Sequence, residues 1–194
     1  MSAPTAITGL SVLDEWIDEA QEQALLAAVD ASPWRDDLAR RVQHYGFRYD
    51  YRARSVDASM RLGPLPPWAE ALAERILREG LTERTPDQVI VNEYQPGQGI
   101  ARHVDRVPCF GPTVLSLTLS SGCVMDLYAP DEAARVAIAL RPRSLLVLGD
   151  EARARWGHAI AGRKSDLVDG VRVPRGRRVS LTFRTVRLGD VALR

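Results

Sequence analysis

Cysteine is scarce in this chain, with only Cys109 and Cys123. Two are too few for a disulfide framework, and neither belongs to a CxxC pair; both are expected to be buried free thiols. Long apolar runs are missing too. No segment approaches the roughly 20 apolar residues that a membrane-crossing helix requires. The first ten residues, MSAPTAITGL, show neither a basic leader nor an apolar h-region. A cytoplasmic location with no membrane association is therefore expected. A surplus of charge is also lacking. The net charge is +1, so the chain is not drawn as a whole to a polyanion. Histidine is limited to His44, His103 and His158, and Lys164 is the sole lysine.

What is present suits one soluble domain spanning residues 1–194. The composition is 45% hydrophobic and 26% charged, ordinary values for a globular protein. At this length folding should bury roughly 70% of the surface exposed by the unfolded chain. Basic charge is concentrated locally. Between Arg163 and Arg187 eight basic side chains stand against two acidic ones, enough to follow a phosphate backbone.

Ile7 to Trp16 is apolar enough for a first strand or extended segment. Asp18 stands three residues before Gln21, a capping box, and Ala20, Ala24, Leu25, Ala28 and Val29 form a helical stripe. Pro67 opens and Gly80 closes a second helix, over residues 67–78. Thereafter the runs 88–94, 113–120, 123–128, 135–140, 144–148 and 178–186 read as strands separated by Pro, Gly and Asp. Two helices followed by many short strands predict a jelly roll supported by N-terminal helices.

The stretch NEYQPGQGIARHVD, residues 92–105, places a histidine two positions before an aspartate. In an extended segment positions i and i+2 point to one side, so His103 and Asp105 present an imidazole and a carboxylate together. These are two of the three ligands of the facial triad that holds Fe(II) and leaves open positions. His158, in the strand-rich second half, is the better candidate for the third; His44 lies in an aromatic stretch before the strands. In RVSLTFR, Val179, Leu181 and Phe183 face one way. Arg178, Ser180, Thr182 and Arg184 face the other. The two guanidiniums, about 20 Å apart along the strand, suit carboxylate binding at the two ends of one cavity.

The segments N-x-Y-x-x-G (Asn92, Tyr94, Gly97), H-x-D (His103, Asp105), the later His158 and R-x5-R (Arg178, Arg184) resemble the AlkB family of Fe(II)- and 2-oxoglutarate-dependent dioxygenases. The likeness runs from about Arg41 to Val186. Within the family it is strongest to the AlkB-like domain of the eukaryotic tRNA wobble-uridine hydroxylases, on the stretches PDQVIVNEYQPGQGI, LSLTLSSGCVMDL and RPRSLLVL.

The resemblance implies a double-stranded β-helix in which His103, Asp105 and His158 ligate iron. It implies that Arg178 and Tyr94 hold the distal carboxylate of 2-oxoglutarate, with Arg184 and Asn92 near the carboxylate that chelates the metal. Ser180 stands where the founding repair enzyme has an asparagine. Residues 41–60 resemble the family's nucleotide-recognition lid, in which Tyr45, Phe47, Tyr49 and Tyr51 would offer stacking surfaces and Arg48 and Arg52 would meet phosphates. Val107 replaces an acidic base-reading residue, which argues against alkyl-adenine or alkyl-cytosine repair.

The expected activity is O2-dependent demethylation or hydroxylation of a modified or alkylated nucleobase, single-stranded or flipped, with RNA ahead of DNA. The alternatives are the same chemistry on a protein side chain or small molecule, or a catalytically silent nucleic-acid-binding module.

Overall fold

The computed structural model describes residues 7–36 and 38–188. Twelve strands and three α-helices follow one another in it. The strands are β1 (Leu10–Leu13), β2 (Arg41–Tyr45), β3 (Gln88–Tyr94), β4 (Ile100–His103), β5 (Phe110–Ser120), β6 (Cys123–Tyr128), β7 (Arg135–Leu140), β8 (Leu145–Leu148), β9 (Gly157–Ile160), β10 (Ser165–Val168), β11 (Val171–Pro174) and β12 (Arg178–Val186). Helices α1 (Glu19–Asp30) and α2 (Pro67–Arg78) precede most of them, and the short α3 (Asp150–Ala154) leads into β9.

The helices start where the sequence provides caps. The Asp18 carboxylate accepts the Gln21 N–H at 2.8 Å while the Gln21 side chain accepts the Asp18 N–H at 3.0 Å. That reciprocal pair satisfies two of the donors a helix start leaves free. Pro67, with no N–H to lose, occupies the first position of α2.

Two antiparallel sheets build the jelly roll. The larger has the order β1-β8-β5-β12-β3-β2 and the smaller β4-β9-β6-β7. The register of the large sheet divides its residues between two environments. Arg178 is paired with Tyr94, Ser180 with Asn92 and with Thr118, and Arg184 with Gln88 and with Val114. Cross-strand partners share a face, so this polar set looks toward the small sheet. The alternate residues Val89, Val91, Leu115, Leu117, Val179, Leu181 and Phe183 pack with Leu25, Val29, Leu72 and Ile76 of the helices into the main core. Period-two alternation thus separates a core face from a cavity face within the same strands.

Several elements differ from the sequence expectation. The first strand is confined to Leu10–Leu13, while Trp16 and Ile17 are buried in the turn before α1. β5 starts three residues earlier than the alternation suggested, at Phe110. β2, β4, β9, the β10–β11 hairpin and α3 are additional; four- and five-residue elements carry too few positions to show a period. Both cysteines are free and buried, as expected. No helix among the described residues is long and apolar enough to cross a membrane.

Candidate metal centre

The turn in PGQG brings the histidines together. Gly97 has φ of 95°, and a Cβ on Gly99 would lie 2.1 Å from the Ile160 carbonyl oxygen, so only glycine lets β4 start this close to the end of β9. Ile100 lies opposite Ile160, and a one-residue register shift between Ile100 and His103 then brings His103, rather than Arg102, opposite His158. Their ring centroids are 4.3 Å apart. Asp105, two residues on, turns its carboxylate to the same point. One ligand atom from each of His103, Asp105 and His158 lies within 4.8 Å of the other two.

The electrostatics suit a cation. Burial works to raise the Asp105 carboxyl, but Arg184, then His158 and His103, outweigh it and hold its pKa at about 2. Burial, reinforced by His103, lowers His158 to about 4. At neutral pH the site therefore offers an ionised carboxylate and neutral imidazole at His158, the forms that bind metal. The 3.6 Å between His158 Nε2 and Asp105 Oδ2 is too long for a hydrogen bond and fits two ligand atoms flanking one ion. His103 Nδ1 lies 2.8 Å from the Ala101 carbonyl. A carbonyl only accepts, so Nδ1 carries the proton and Nε2 keeps its lone pair, the arrangement typical of metal-binding histidines. Two imidazoles and one carboxylate with an open side form a donor set that fits Fe(II).

Beside the triad a cavity of about 460 Å³ opens between the sheets. Arg184 marks its metal end, with Nη2 donating to Asp105 Oδ1 at 2.6 Å. Arg178 lies six residues along the same strand; its Nη2 donates to Thr118 Oγ1 at 2.9 Å and its guanidinium carbon is 5.4 Å from the Tyr94 ring. Asn92 and Ser180 line the wall between them. Burial raises the Tyr94 phenol against the lowering effect of Arg40 and Arg178, so it stays a neutral hydroxyl. Asn92 Oδ1 accepts from Arg40 Nε at 2.8 Å, which aims the amide N–H groups elsewhere. All eight residues expected around the metal and the co-substrate thus border one space.

The lid requires correction. Tyr49 and Tyr51 line the cavity, with ring centroids 5.2 Å apart. Tyr45 and Phe47 do not. Tyr45 is opposite Val89 in β3, on the core face, where its ring meets Trp68 edge-on at 5.4 Å and its hydroxyl donates to Gln43. Phe47 follows a turn at Gly46 (φ 77°) and is buried with Val56, Phe110 and Val186. His44 supports the lid: its Nδ1 accepts the Tyr49 N–H at 3.2 Å.

Among the arginines, Arg40, Arg54, Arg102 and Arg106 border the cavity rather than Arg48 and Arg52. Five of the eight basic side chains in the C-terminal quarter are already engaged. Arg163 and Arg175 bind Asp166, Arg177 binds Asp30 and Glu93, Arg178 lies in the cavity and Arg184 holds Asp105. Val107 is exposed and off the cavity lining. Besides Arg54 and Arg106, the sequence reading missed Arg40, which orients Asn92, and Arg153, whose Nη1 donates to the Asp105 carbonyl at 2.7 Å. Arginine is so common here that none of these positions stands out.

Comparison with known proteins agrees with this geometry. The family model "2OG-Fe(II) oxygenase superfamily" matches residues 9–184. The chain is 37% identical, over 93% of its length, to the alkylated DNA repair protein ALKBH8 homolog of Arabidopsis thaliana, of which it covers 59%. It is 38% identical, over 92% of its length, to the tRNA (carboxymethyluridine(34)-5-O)-methyltransferase ALKBH8 of Macaca fascicularis, of which it covers 30%. The probable RNA/DNA demethylase ALKBH6 of Danio rerio is 31% identical, with 90% of this chain and 84% of that one aligned. Among solved structures, OsALKBH1 superposes with a TM-score of 0.63 at 17% identity, covering 91% of this chain and 96% of that one. A Pseudomonas putida prolyl-4-hydroxylase gives 0.61 at 16%, covering 93% and 94%. At such low identity these two speak for the fold alone.

Proposed function

Because this chain belongs to the AlkB branch of the 2OG-Fe(II) oxygenase superfamily, a family of dioxygenases that use Fe(II) and 2-oxoglutarate, we propose that it oxidises a C–H bond on a modified or alkylated nucleobase, in RNA ahead of DNA. The observation that carries this reading is the convergence of His103, Asp105 and His158 beside an arginine-lined cavity. The names of the relatives, which point to tRNA and to RNA or DNA, support the substrate class.

His103, Asp105 and His158 would hold the iron. Bound there, the ion with 2-oxoglutarate and O2 supplies hydroxylation of a substrate C–H bond, coupled to decarboxylation of the keto acid to succinate. Arg178, assisted by the Tyr94 hydroxyl, neutralises the far carboxylate of 2-oxoglutarate through charge-assisted hydrogen bonds. Arg184 and Asn92 serve the carboxylate next to the metal, and Arg184 keeps Asp105 ionised as well. The Ser180 hydroxyl, with one donor where an amide has two, completes the wall. Tyr49 and Tyr51 present π-faces on which a base can stack. Arg54 and Arg106, exposed at the edge of the cavity, are placed to meet phosphates. These residues hold the target carbon near the reacting centre and exclude water. If hydroxylation falls on carbon next to a ring nitrogen, the group is lost as an aldehyde; on a base-carbon side chain the hydroxyl stays.

Total tRNA and genomic DNA incubated with the protein, Fe(II), 2-oxoglutarate and O2, then analysed by nucleoside mass spectrometry, test this. A hydroxylated or dealkylated nucleoside in tRNA, with matching succinate, is expected. Succinate formation stimulated by peptides while both nucleic acids stay unchanged would remove the nucleobase assignment.

A further inference from the structure

The segment that carries Asp105 has no strand partner of its own. β4 ends at His103 and β5 starts at Phe110. The direction of a carboxylate in such a segment depends on what grips the backbone around it. Arg153 does so from α3. Its side chain is buried, with 3% exposure, and among the described residues the only hydrogen bond of its guanidinium runs from Nη1 to the Asp105 carbonyl, at 2.7 Å. Burying a cation is costly unless a nearby charge compensates it. Burial acts against the charge of Arg153, Asp105 favours it, and Arg184 and Arg187 oppose it. Packing alone would be served as well by an apolar side chain of similar length.

Position adds to the argument. Arg153 precedes His158 by five residues, and the segment from Gly149 to Trp156 that carries it is tied down by backbone hydrogen bonds. Gly149 N–H donates to Gly9 at 2.7 Å, Ala152 N–H to Thr8 at 3.0 Å and Trp156 N–H to Glu151 at 3.1 Å. The same short segment therefore supplies the third ligand and grips the residue that supplies the second. From the opposite side Arg184 holds the carboxylate itself. Two arginines thus fix Asp105 at its main chain and at its side chain.

We infer that Arg153 is a positioning residue: by holding the Asp105 carbonyl it sets the Asp105 carboxylate relative to His158 and so tunes the affinity of the site for a divalent cation. The inference rests on the assignment of these two residues as ligands. Outer-shell partners of this kind typically contribute about 10- to 100-fold to metal affinity.

Co(II) titration followed by visible absorption, on wild type, Arg153→Met, Arg153→Lys and Asp105→Ala, separates the possibilities. Arg153→Met is expected to bind Co(II) about 10- to 100-fold more weakly than wild type with an unchanged far-UV circular dichroism spectrum. Arg153→Lys, which retains a charge and a donor but not the planar fork, should fall between the two. Wild-type affinity in Arg153→Met, with only a lower melting temperature, would reduce Arg153 to a packing residue and overturn the inference. Should Arg153→Met not fold, Arg153→Lys decides: weaker binding than wild type supports the role, and equal binding overturns it. Equal binding by wild type and Asp105→Ala would instead overturn the ligand assignment, and this inference with it.

Discussion

His103 and His158, 55 residues apart in the chain, are direct cross-strand partners, and their rings stand 4.3 Å apart with 56° between their planes. The strands that bring them together are four residues long. Such short strands hold this alignment because the glycine turn before β4 and helix α3 before β9 fix their entry. Each histidine is therefore replaceable without loss of the sheet. His158→Ala should fold, with a native circular dichroism spectrum, and should lower iron-dependent succinate formation to background. Turnover equal to wild type, measured by NMR detection of succinate, would show that residue 158 is no ligand.

Arg178 and Arg184 lie on one face of β12 but differ in what already occupies them. Arg184 is committed to the Asp105 carboxylate, whereas Arg178 donates to the neutral Thr118 hydroxyl and lies against the Tyr94 ring, with no carboxylate partner among the described residues. Losing a hydrogen bond to a charged group costs about 1.5–3 kcal/mol. Arg178→Met should therefore raise the KM for 2-oxoglutarate by about tenfold to a hundredfold, with little change in Co(II) affinity. Arg184→Met should weaken both. The pair of titrations checks this, and equal effects on metal and keto acid in the two variants would contradict the division of labour.

Asp166 gives the fold a defined acid sensitivity. It is buried at 3% exposure, accepts from Arg163 and Arg175 at 2.6 and 2.5 Å, and accepts the Val124 N–H at 3.1 Å. Burial raises its pKa, but the two arginines and the Val124 N–H more than offset this, so the net shift is downward. A carboxyl whose folded pKa is depressed contributes stability that is fully present above the unfolded value of about 3.9. That contribution is lost as pH falls through the lower folded value. Asp166→Asn leaves Arg175 buried without its anion and should cost about 3–5 kcal/mol at pH 7. Urea unfolding from pH 7 to pH 3 should show a steeper loss of stability in wild type than in the variant. Parallel pH profiles would exclude Asp166 as the source.

How much of this was legible in the sequence depends on how local each signal is. The Asp18–Gln21 cap, Pro67 and the alternation of RVSLTFR are read within a few residues, and those elements lie where expected. The spacing of His103 and Asp105 is equally local. The partner of a basic residue is not. Arg177 finds Asp30 and Glu93, more than 80 positions away, so a basic count over the C-terminal quarter overstated the charge left for a phosphate backbone. Arg153 is hidden for a similar reason: in LGDEARARWGH nothing distinguishes it from Arg155, yet one is buried against Asp105 and the other exposed beside Glu151.

The lid shows the same limit and offers a decisive comparison. An aromatic run suggests stacking, but which rings reach the substrate depends on strand register and on the turn at Gly46. Tyr45 lies opposite Val89 and so points into the core, whereas Tyr49, beyond the turn, reaches the cavity. Tyr49→Ala should weaken binding of a single-stranded oligonucleotide by roughly tenfold, from a stacking contribution of about 1–3 kcal/mol per base. Turnover of 2-oxoglutarate without substrate should be spared. Phe47→Ala should do the reverse, since truncating a buried phenylalanine costs about 3–5 kcal/mol of stability while the cavity keeps its lining. Fluorescence anisotropy with a labelled oligonucleotide, paired with thermal melting, reads both. Weaker binding in Phe47→Ala at unchanged stability would return Phe47 to the recognition surface and require a lid that rearranges when substrate binds.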